Sequence, residues 1–390
     1  MKKNILIKLK KSILFSSLMF FLISCQNQNL YVSKINNNVK SYQKALIDNS
    51  ITASNVTIVY KDGKKIVHSI VNSGKDGDMD ITDNTIFPIW SMSKPITIVS
   101  MMILKERGLV DFDDPVSKYI PYFKELKCKD GEMIYECKNE LKVFHLMTHR
   151  SGYKYDIAYE TRDHLYKDLD DYVKKVSSMP VEFEPGTQYI YGINQAILGR
   201  IVEVISKKRF YDFLNENIFI PLNMKDTKFY LTDNERKRFQ ILYRKSDEKL
   251  HFTFNYDENK YLPGNLVQLG GEGLVSTMDN YSKFCEMLLN KGVFNGKRIL
   301  SEESIYEMIT PVSKGDGNGF DIGYSFFNLT EPLLDGVNSP KGIFGWSGYH
   351  NTHFWIDYKN NLYGLFMTRT TPFSSEIQKN FRASVYNSLK

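Results

Sequence analysis

The stretch FPIWSMSKPITIVSMMILKERGL (Phe87–Leu109) combines a Ser-x-x-Lys step with the start of a strongly apolar segment. Apolar residues recur at helical spacing after Pro95, and the pattern ends near Gly108. Proline is tolerated in a helix only within its first turn. The sequence therefore predicts that Ser91 and Lys94 lie at the N-terminus of this helix.

The position of Ser91 at a helix start favours nucleophilic chemistry. Unpaired backbone N–H groups there can stabilise the anion that forms on a carbonyl oxygen when the serine attacks it. Lys94 follows one turn later, so its amine can reach the serine hydroxyl. The alternative is that Ser91 only caps the helix. Three further Ser-x-x-Lys steps occur in settings that favour solvated surface: Ser41/Lys44, Ser151/Lys154 and Ser246/Lys249.

Strands are predicted at both ends of the chain, with a mostly helical block between them. Residues 55–71 indicate a hairpin, and GIFGWSGYHNTHFWIDY with NLYGLFMTR indicates two strands joined by Lys359–Asn361. We predict an α+β domain over residues 41–390, with an antiparallel sheet built from both chain ends and flanked by helices. A mainly helical lobe is predicted over about residues 110–320, and a site is expected in the cleft between the lobes.

Composition and spacing argue against several classes of function. The formal charge of +6 is modest for 390 residues, and the basic residues are dispersed among 45 acidic ones. Nucleic-acid binding is therefore not expected. The pairs His145/His149 and His350/His353 lack the context of a zinc motif, and no CxxC step occurs. We expect no metal site and no cofactor.

The N-terminus predicts export. A cationic segment, MKKNILIKLKK, precedes the apolar segment SILFSSLMFFLI, which ends in Leu22-Ile23-Ser24-Cys25. A small residue before a cysteine at this point resembles a bacterial lipobox. We predict a lipoprotein signal peptide over residues 1–25, lipidation of Cys25, and a polar tether over residues 26–40. The chain is then exported and lipid-anchored to a bacterial cell-envelope membrane. The alternative is an ordinary signal peptide.

Two further cysteines bracket a turn. Cys128 and Cys137 flank KDGEMIYE, whose Asp-Gly step is a turn signal. In an oxidising envelope the two can form a disulfide, leaving Cys285 free. The alternative is three unpaired thiols.

Five segments, in this order, resemble the serine β-lactamase-like superfamily: WSMSKPIT, HLMTHRSG, PGTQYIYGINQAILG, GGEGLVSTMDNYSKF and FGWSGYHNTHFWID. That superfamily includes class C β-lactamases, D,D-peptidases, D-aminopeptidases and family VIII carboxylesterases. The resemblance extends from about residue 40 to the end, and it implies a β-lactamase/transpeptidase-like fold.

The resemblance also assigns roles to residues. It implies that Ser91 is the acylated nucleophile, with Lys94 and Tyr191 activating it and protonating the leaving group. The backbone N–H groups of Ser91 and Tyr349 are expected to form the oxyanion hole. The remaining expected substrate-binding residues are Trp346, Ser347, Gly348 and Asn194.

Two departures from the class C pattern bear on the substrate. Ile193 occupies the place of the asparagine in Tyr-x-Asn, with Asn194 one position later, and Trp346 replaces the lysine of Lys-Thr-Gly. The lost lysine is a cation that would bind a carboxylate; Arg369 is a candidate replacement. Both departures resemble family VIII esterases. The prediction is therefore a serine hydrolase that hydrolyses or transfers acyl groups of small carboxylic esters. The alternatives are a β-lactamase or D-amino-acid peptidase, and a non-catalytic binding lipoprotein of the cell envelope.

Overall fold

The computed structural model describes residues 31–155, 165–245, 250–253, 259–315 and 317–389. The predicted signal peptide with Cys25, the first part of the tether, and Ser246 with Lys249 lie outside these ranges. Within the described ranges, no helix is long and apolar enough to cross a membrane.

The secondary structure is mixed along the whole described chain. The strands are β1 (Asn55–Lys61), β2 (Lys64–Val71), β3 (Ile86–Pro88), β4 (Lys127–Asp130), β5 (Met133–Glu136), β6 (Leu242–Lys245), β7 (Leu250–Thr253), β8 (Val275–Thr277), β9 (Val293–Phe294), β10 (Lys297–Arg298), β11 (Phe320–Ile322), β12 (Phe327–Leu329), β13 (Phe344–Ser347), β14 (His353–Asp357), β15 (Leu362–Met367) and β16 (Thr370–Thr371). The helices are α1 (residues 31–48), α2 (Ser93–Glu106), α3 (Val143–Met147), α4 (Leu169–Ser177), α5 (Asn194–Ser206), α6 (Phe210–Leu214), α7 (Asp233–Arg236), α8 (Met278–Leu289), α9 (Glu302–Ile309), α10 (Pro332–Asp335) and α11 (Ser375–Tyr386).

An antiparallel seven-stranded sheet joins the two chain ends, as predicted. Its strand order is β11-β12-β13-β14-β15-β1-β2. The N-terminal β1 pairs with the C-terminal β15, with Val56 opposite Met367. On the other side of β15, Gly364 lies opposite Trp355, and a Cβ at position 364 would be 2.2 Å from the indole. Only glycine leaves room for this ring.

Helices cover both faces of the sheet. Along β14, Trp355 faces α11, where its ring centroid lies 4.7 Å from that of Phe381. Its neighbour Phe354 faces the opposite side and packs against Tyr281 of α8, with ring centroids 5.4 Å apart. This alternation is the period-two pattern of a strand that is buried on both faces.

The tether prediction was wrong for residues 31–40. These residues form the first turns of α1, and Ile35 and Val39, one helical turn apart, are fully buried against the sheet. The asparagine-rich composition of this segment led us to expect a tether, whereas the apolar i, i+4 spacing determines its structure.

Helix α5 packs against α2, α3, α4 and α6. Helix α8, which lies within the range predicted for the helical lobe, packs on β14 and β15 of the sheet. The extent of the helical lobe stays a prediction. Cys128 of β4 and Cys137, just after β5, form a disulfide, so the structure shows the paired alternative. Cys285 is a buried free thiol on α8.

Candidate active site

Ser91 lies in a single 3₁₀ turn, Trp90–Met92, that leads directly into α2. Lys94 is the second residue of the helix and Pro95 the third, so the proline is in the first turn, as predicted. Trp90 has φ of +46°, a left-handed conformation that is unusual for a bulky residue. Its indole N–H donates to Nδ1 of His350 at 2.8 Å, which holds the turn against the end of the sheet.

Lys94 is fully buried and makes three hydrogen bonds. Its Nζ donates to Ser91 Oγ at 3.0 Å, to the hydroxyl of Tyr155 at 2.7 Å and to the carbonyl of Gly271 at 2.8 Å. A lysine ammonium has three hydrogens and no acceptor site. The three contacts therefore provide one acceptor for each hydrogen of a lysine ammonium.

Tyr191 approaches Ser91 from the other side. Its hydroxyl lies 2.7 Å from Ser91 Oγ, and Lys94 Nζ lies 4.8 Å from the centre of its ring. The Tyr191 hydroxyl donates to Ser91 Oγ, so this contact is a path along which a proton can move between the two oxygens.

The sequence analysis missed Tyr155. Its side chain is 37% exposed overall, but its hydroxyl accepts from Lys94 and donates to Glu272 Oε2 at 3.1 Å. Burial of this hydroxyl, followed by the negative charge of Glu272, holds the pKa of Tyr155 well above its usual range. Tyr155 is therefore a neutral phenol that links Lys94 to a buried carboxyl group. It is one of 25 tyrosines in the chain, and no spacing in the sequence distinguishes it.

Gly348 allows the end of β13 to approach Ser91 closely. A Cβ at this position would lie 2.4 Å from the carbonyl oxygen of Ile89 and 2.2 Å from Thr352 Oγ1. The end of β13 therefore packs directly against the backbone that precedes Ser91. This close approach requires a residue without a side chain.

A cleft of about 750 Å³ lies beside Ser91. It brings together the predicted residues Ser91, Tyr191, Trp346, Ser347, Gly348 and Tyr349. Its wall is largely aromatic and aliphatic, with contributions from Phe320, Ile322, Phe327 and Phe373. Ser91 and Tyr349 line the same cleft, and the pairing of their N–H groups as an oxyanion hole stays a prediction.

Trp346 forms one wall of this cleft. Its side chain is 8% exposed, its ring lies 6.0 Å from that of Tyr191, and it stacks at 6.4 Å on Phe327. An indole donates one hydrogen bond and carries no charge. The position that holds a lysine in class C enzymes thus supplies apolar area here.

Asn194 does not reach the cleft, so the structure does not support the substrate contact expected for it. It is fully buried; its Nδ2 donates to His149 Nδ1 at 2.9 Å, and its Oδ1 accepts from the Ser151 hydroxyl. Burial and the charge of Lys94 hold the pKa of His149 well below its usual range. The neutral ring packs 4.9 Å from the ring of Tyr191. Asn194 is therefore a hydrogen-bond partner of His149, behind Tyr191, and does not line the cleft.

Arg369 is also directed away from the cleft. It is fully buried, donates to the carbonyl of Gln240 at 2.5 Å and lies 4.4 Å from the ring centre of Phe239. Burial lowers its pKa to about 9. The cationic side chain that does line the cleft is Arg382, on α11. The sequence analysis did not consider it, because it lies 36 positions after Trp346, outside the five segments that carry the resemblance.

The other described Ser-x-x-Lys steps differ from Ser91 and Lys94. The expectation of solvated surface is wrong for Ser151, which is fully buried and donates its hydroxyl to Asn194 Oδ1. Lys44 is exposed and pairs with Asp48 at 2.7 Å, while Lys154 pairs with Glu182 at 3.0 Å.

Among the described residues, one group has metal-like spacing: Cys128, Cys137 and Glu184, with ligand atoms within 4.8 Å of one another. The disulfide takes both sulfurs, so no thiolate is available to a metal there.

Comparison with known proteins agrees with this geometry. Residues 44–386 match the Beta-lactamase family. Protein Rv1367c of Mycobacterium tuberculosis is 25% identical over 358 residues, covering 84% of this chain and 88% of that protein. The esterase EstB of Burkholderia gladioli is 22% identical over 325 residues, covering 76% of this chain and 80% of that protein.

The fold also recurs among solved structures. EstCE1, described as a hydrolase with promiscuous acyltransferase activity, has a TM-score of 0.80 at 19% identity, covering 92% of this chain and 100% of that chain. Because the family match spans nearly the whole chain, this protein belongs to the Beta-lactamase family and is a serine hydrolase of the β-lactamase-like superfamily.

Proposed function

We propose that this protein hydrolyses or transfers the acyl group of small, uncharged carboxylic esters through an acyl-enzyme on Ser91. The observation that carries the proposal is the composition of the cleft wall at Trp346–Gly348. Trp346 stands where a carboxylate-binding lysine would lie, and aromatic side chains continue the wall. Such a surface suits the apolar part of an ester. EstB is named as an esterase and EstCE1 as a hydrolase, and both activities agree with this choice.

The geometry supports a balanced sequence of steps. In the reactive form Tyr191 is a phenolate: Ser91 Oγ forms a bond to the acyl carbon while the serine hydrogen passes to the phenolate oxygen, 2.7 Å away. The ester C–O bond then breaks, and Tyr191 returns that hydrogen to the departing alkoxide oxygen. Water, or an acceptor alcohol, attacks the acyl-enzyme with the same groups in reversed roles. Lys94 keeps its positive charge throughout and stabilises the Tyr191 phenolate.

A direct assay separates the proposal from its alternatives. The purified protein should release 4-nitrophenol from 4-nitrophenyl acetate or butyrate and cleave nitrocefin slowly or not at all. Efficient nitrocefin turnover with negligible esterase activity would instead identify a β-lactamase. Failure to react with a fluorophosphonate probe would favour a non-catalytic binding protein. Adding an alcohol and measuring transesterification decides between water and alcohol as acceptor.

We also propose that the enzyme acts outside the cytoplasm, held at a bacterial cell-envelope membrane by a lipid on Cys25. The cationic and apolar segments before Cys25 support export. The Cys128–Cys137 disulfide agrees with an oxidising compartment.

A further inference from the structure

The cleft contains a cationic side chain that does not belong to the Trp346–Gly348 segment. Arg382 of α11 is the one guanidinium or ammonium side chain among the described residues that line it. Arg382 is buried, and its guanidinium lies 5.1 Å from the ring centre of Phe320. An uncompensated arginine here would attract a substrate carboxylate by a charge-assisted hydrogen bond. Esters with a carboxylate would then be preferred.

Asp335 compensates this charge. Arg382 Nη2 donates to Asp335 Oδ1 at 2.7 Å, and the two side chains are only 6% and 4% exposed. Asp335 ends α10 and is not part of the cleft lining, so it contacts Arg382 from behind. At this burial the two opposite charges interact strongly, and together they present little net charge to the cleft.

The neighbouring histidine adds no second cation. Arg382 Nη1 lies 3.4 Å from His353 Nε2, and His353 Nδ1 lies 2.8 Å from Ser347 Oγ. Burial and then the charge of Arg382 hold the pKa of His353 well below its usual range. A neutral His353 connects the Arg382–Asp335 pair to Ser347 without changing the charge of the cleft.

We propose that Asp335 is a specificity-determining residue: by neutralising Arg382 from behind, it makes the cleft select uncharged esters over esters with a carboxylate. A carboxylate that enters must give up its hydration, and the guanidinium already bound to Asp335 cannot offset this cost. This inference rests on the proposed esterase function. Asp335 itself does not line the cleft. Substituting it is nevertheless expected to change the preference of the enzyme between neutral and anionic esters.

The experiment compares matched neutral and anionic esters in the full-length protein. One pair is 4-nitrophenyl hexanoate and mono-4-nitrophenyl adipate, which differ by a carboxylate at the far end of the acyl chain. The other pair is benzyl butyrate and 4-carboxybenzyl butyrate, which places the carboxylate on the alcohol. The quantity measured is the ratio of kcat/KM for the anionic ester to that for the neutral ester. The variants are Asp335→Asn and the double variant Asp335→Asn/Arg382→Gln.

Wild type should prefer the neutral ester of each pair by about tenfold or more. Asp335→Asn should raise the anionic-to-neutral ratio about tenfold in at least one pair, and the double variant should bring it back towards the wild-type value. An unchanged ratio in a folded Asp335→Asn variant would overturn the inference. So would a wild type that hydrolyses both members of each pair equally well, a result that does not depend on either variant folding. Absence of turnover of every neutral ester would instead refute the proposed function itself.

Discussion

Tyr191 and Lys94 reach the same atom from two sides: the phenol oxygen lies 2.7 Å from Ser91 Oγ, and the lysine Nζ lies 3.0 Å from it. The two groups are not equivalent. Lys94 also donates to Tyr155 and Gly271 and therefore has no hydrogen without an acceptor. We therefore expect Tyr191, rather than Lys94, to exchange a proton with Ser91.

Ser91 is expected to carry the acyl group. Incubation with an activated ester, followed by rapid acid quenching, should add one acyl mass to the intact protein, mapped by peptide analysis to Ser91. Ser91→Ala should show no adduct. Ser347, which also lines the cleft, is the control position, because its hydroxyl is bound to His353 at 2.8 Å. An adduct on Ser347 would contradict the assignment of the nucleophile.

Tyr191→Phe and Lys94→Ala should each lower kcat by about a hundredfold or more, because they remove the proton-transfer group and the charge that supports it. KM should change less, since Phe keeps the aromatic ring of Tyr191 and Lys94 is not among the residues that line the cleft. Lys44→Ala is the matched control: Lys44 belongs to another Ser-x-x-Lys step but is exposed and paired with Asp48. Near-wild-type rates for Tyr191→Phe would show that another group takes the hydrogen.

Tyr155→Phe should lower kcat by about tenfold, a smaller loss than for Tyr191→Phe. The substitution removes one acceptor of Lys94 and the link to Glu272, but leaves the bonds of Lys94 to Ser91 and Gly271. KM for a neutral ester should stay near its wild-type value, as expected for a positioning residue. The exposed Tyr122 provides the control substitution Tyr122→Phe. An effect on kcat as large as that of Tyr191→Phe would indicate that Tyr155 itself transfers a proton.

The sequence predicted the antiparallel sheet and the start of α2 because both depend on local patterns. Hairpin turns and alternating apolar residues indicate β1, β2, β14 and β15, and Pro95 fixes the first turn of the helix. Trp346 and Tyr191 were placed by the resemblance to a known superfamily. The structure brings both to the cleft beside Ser91.

Tyr155 and Arg382 could not be predicted, because their roles depend on distant partners. Tyr155 matters only because Lys94 and Glu272 lie next to it in space, 61 and 117 positions away. Arg382 matters because its partner, Asp335, lies 47 positions earlier and behind the cleft wall. Asn194 shows the converse. Its place beside the tyrosine segment suggested a substrate contact, but the first turn of α5 directs its amide toward His149.

Cys25 is expected to become the lipidated N-terminus of the mature protein. Cells treated with globomycin, or expressing Cys25→Ser, should accumulate precursor or lose membrane association of the enzyme. Cys285→Ser, which removes a buried thiol on α8, should leave processing unchanged. Normal processing and membrane association of Cys25→Ser would exclude a lipid on this residue and favour an ordinary secreted enzyme.

Acid should destabilise the protein through His350. Its ring is 2% exposed, its Nδ1 accepts the indole N–H of Trp90, and burial lowers its pKa from 6.5 to about 3. Between these two values the unfolded chain binds a proton that the folded chain does not. The free energy of unfolding should therefore fall as the pH decreases below about 6.5, by up to about 1.4 kcal/mol per pH unit from this residue.

Unfolding by urea at pH 7.5, 6.0 and 5.0 measures this slope. His350→Gln keeps an acceptor near Trp90 but cannot titrate, so its stability should decrease less steeply between pH 6.5 and 5. His68→Gln is the same substitution at a partly exposed histidine that pairs with Asp83, and it controls for the chemical change itself. Equal pH slopes of stability for wild type and His350→Gln would show that the acid sensitivity comes from other groups.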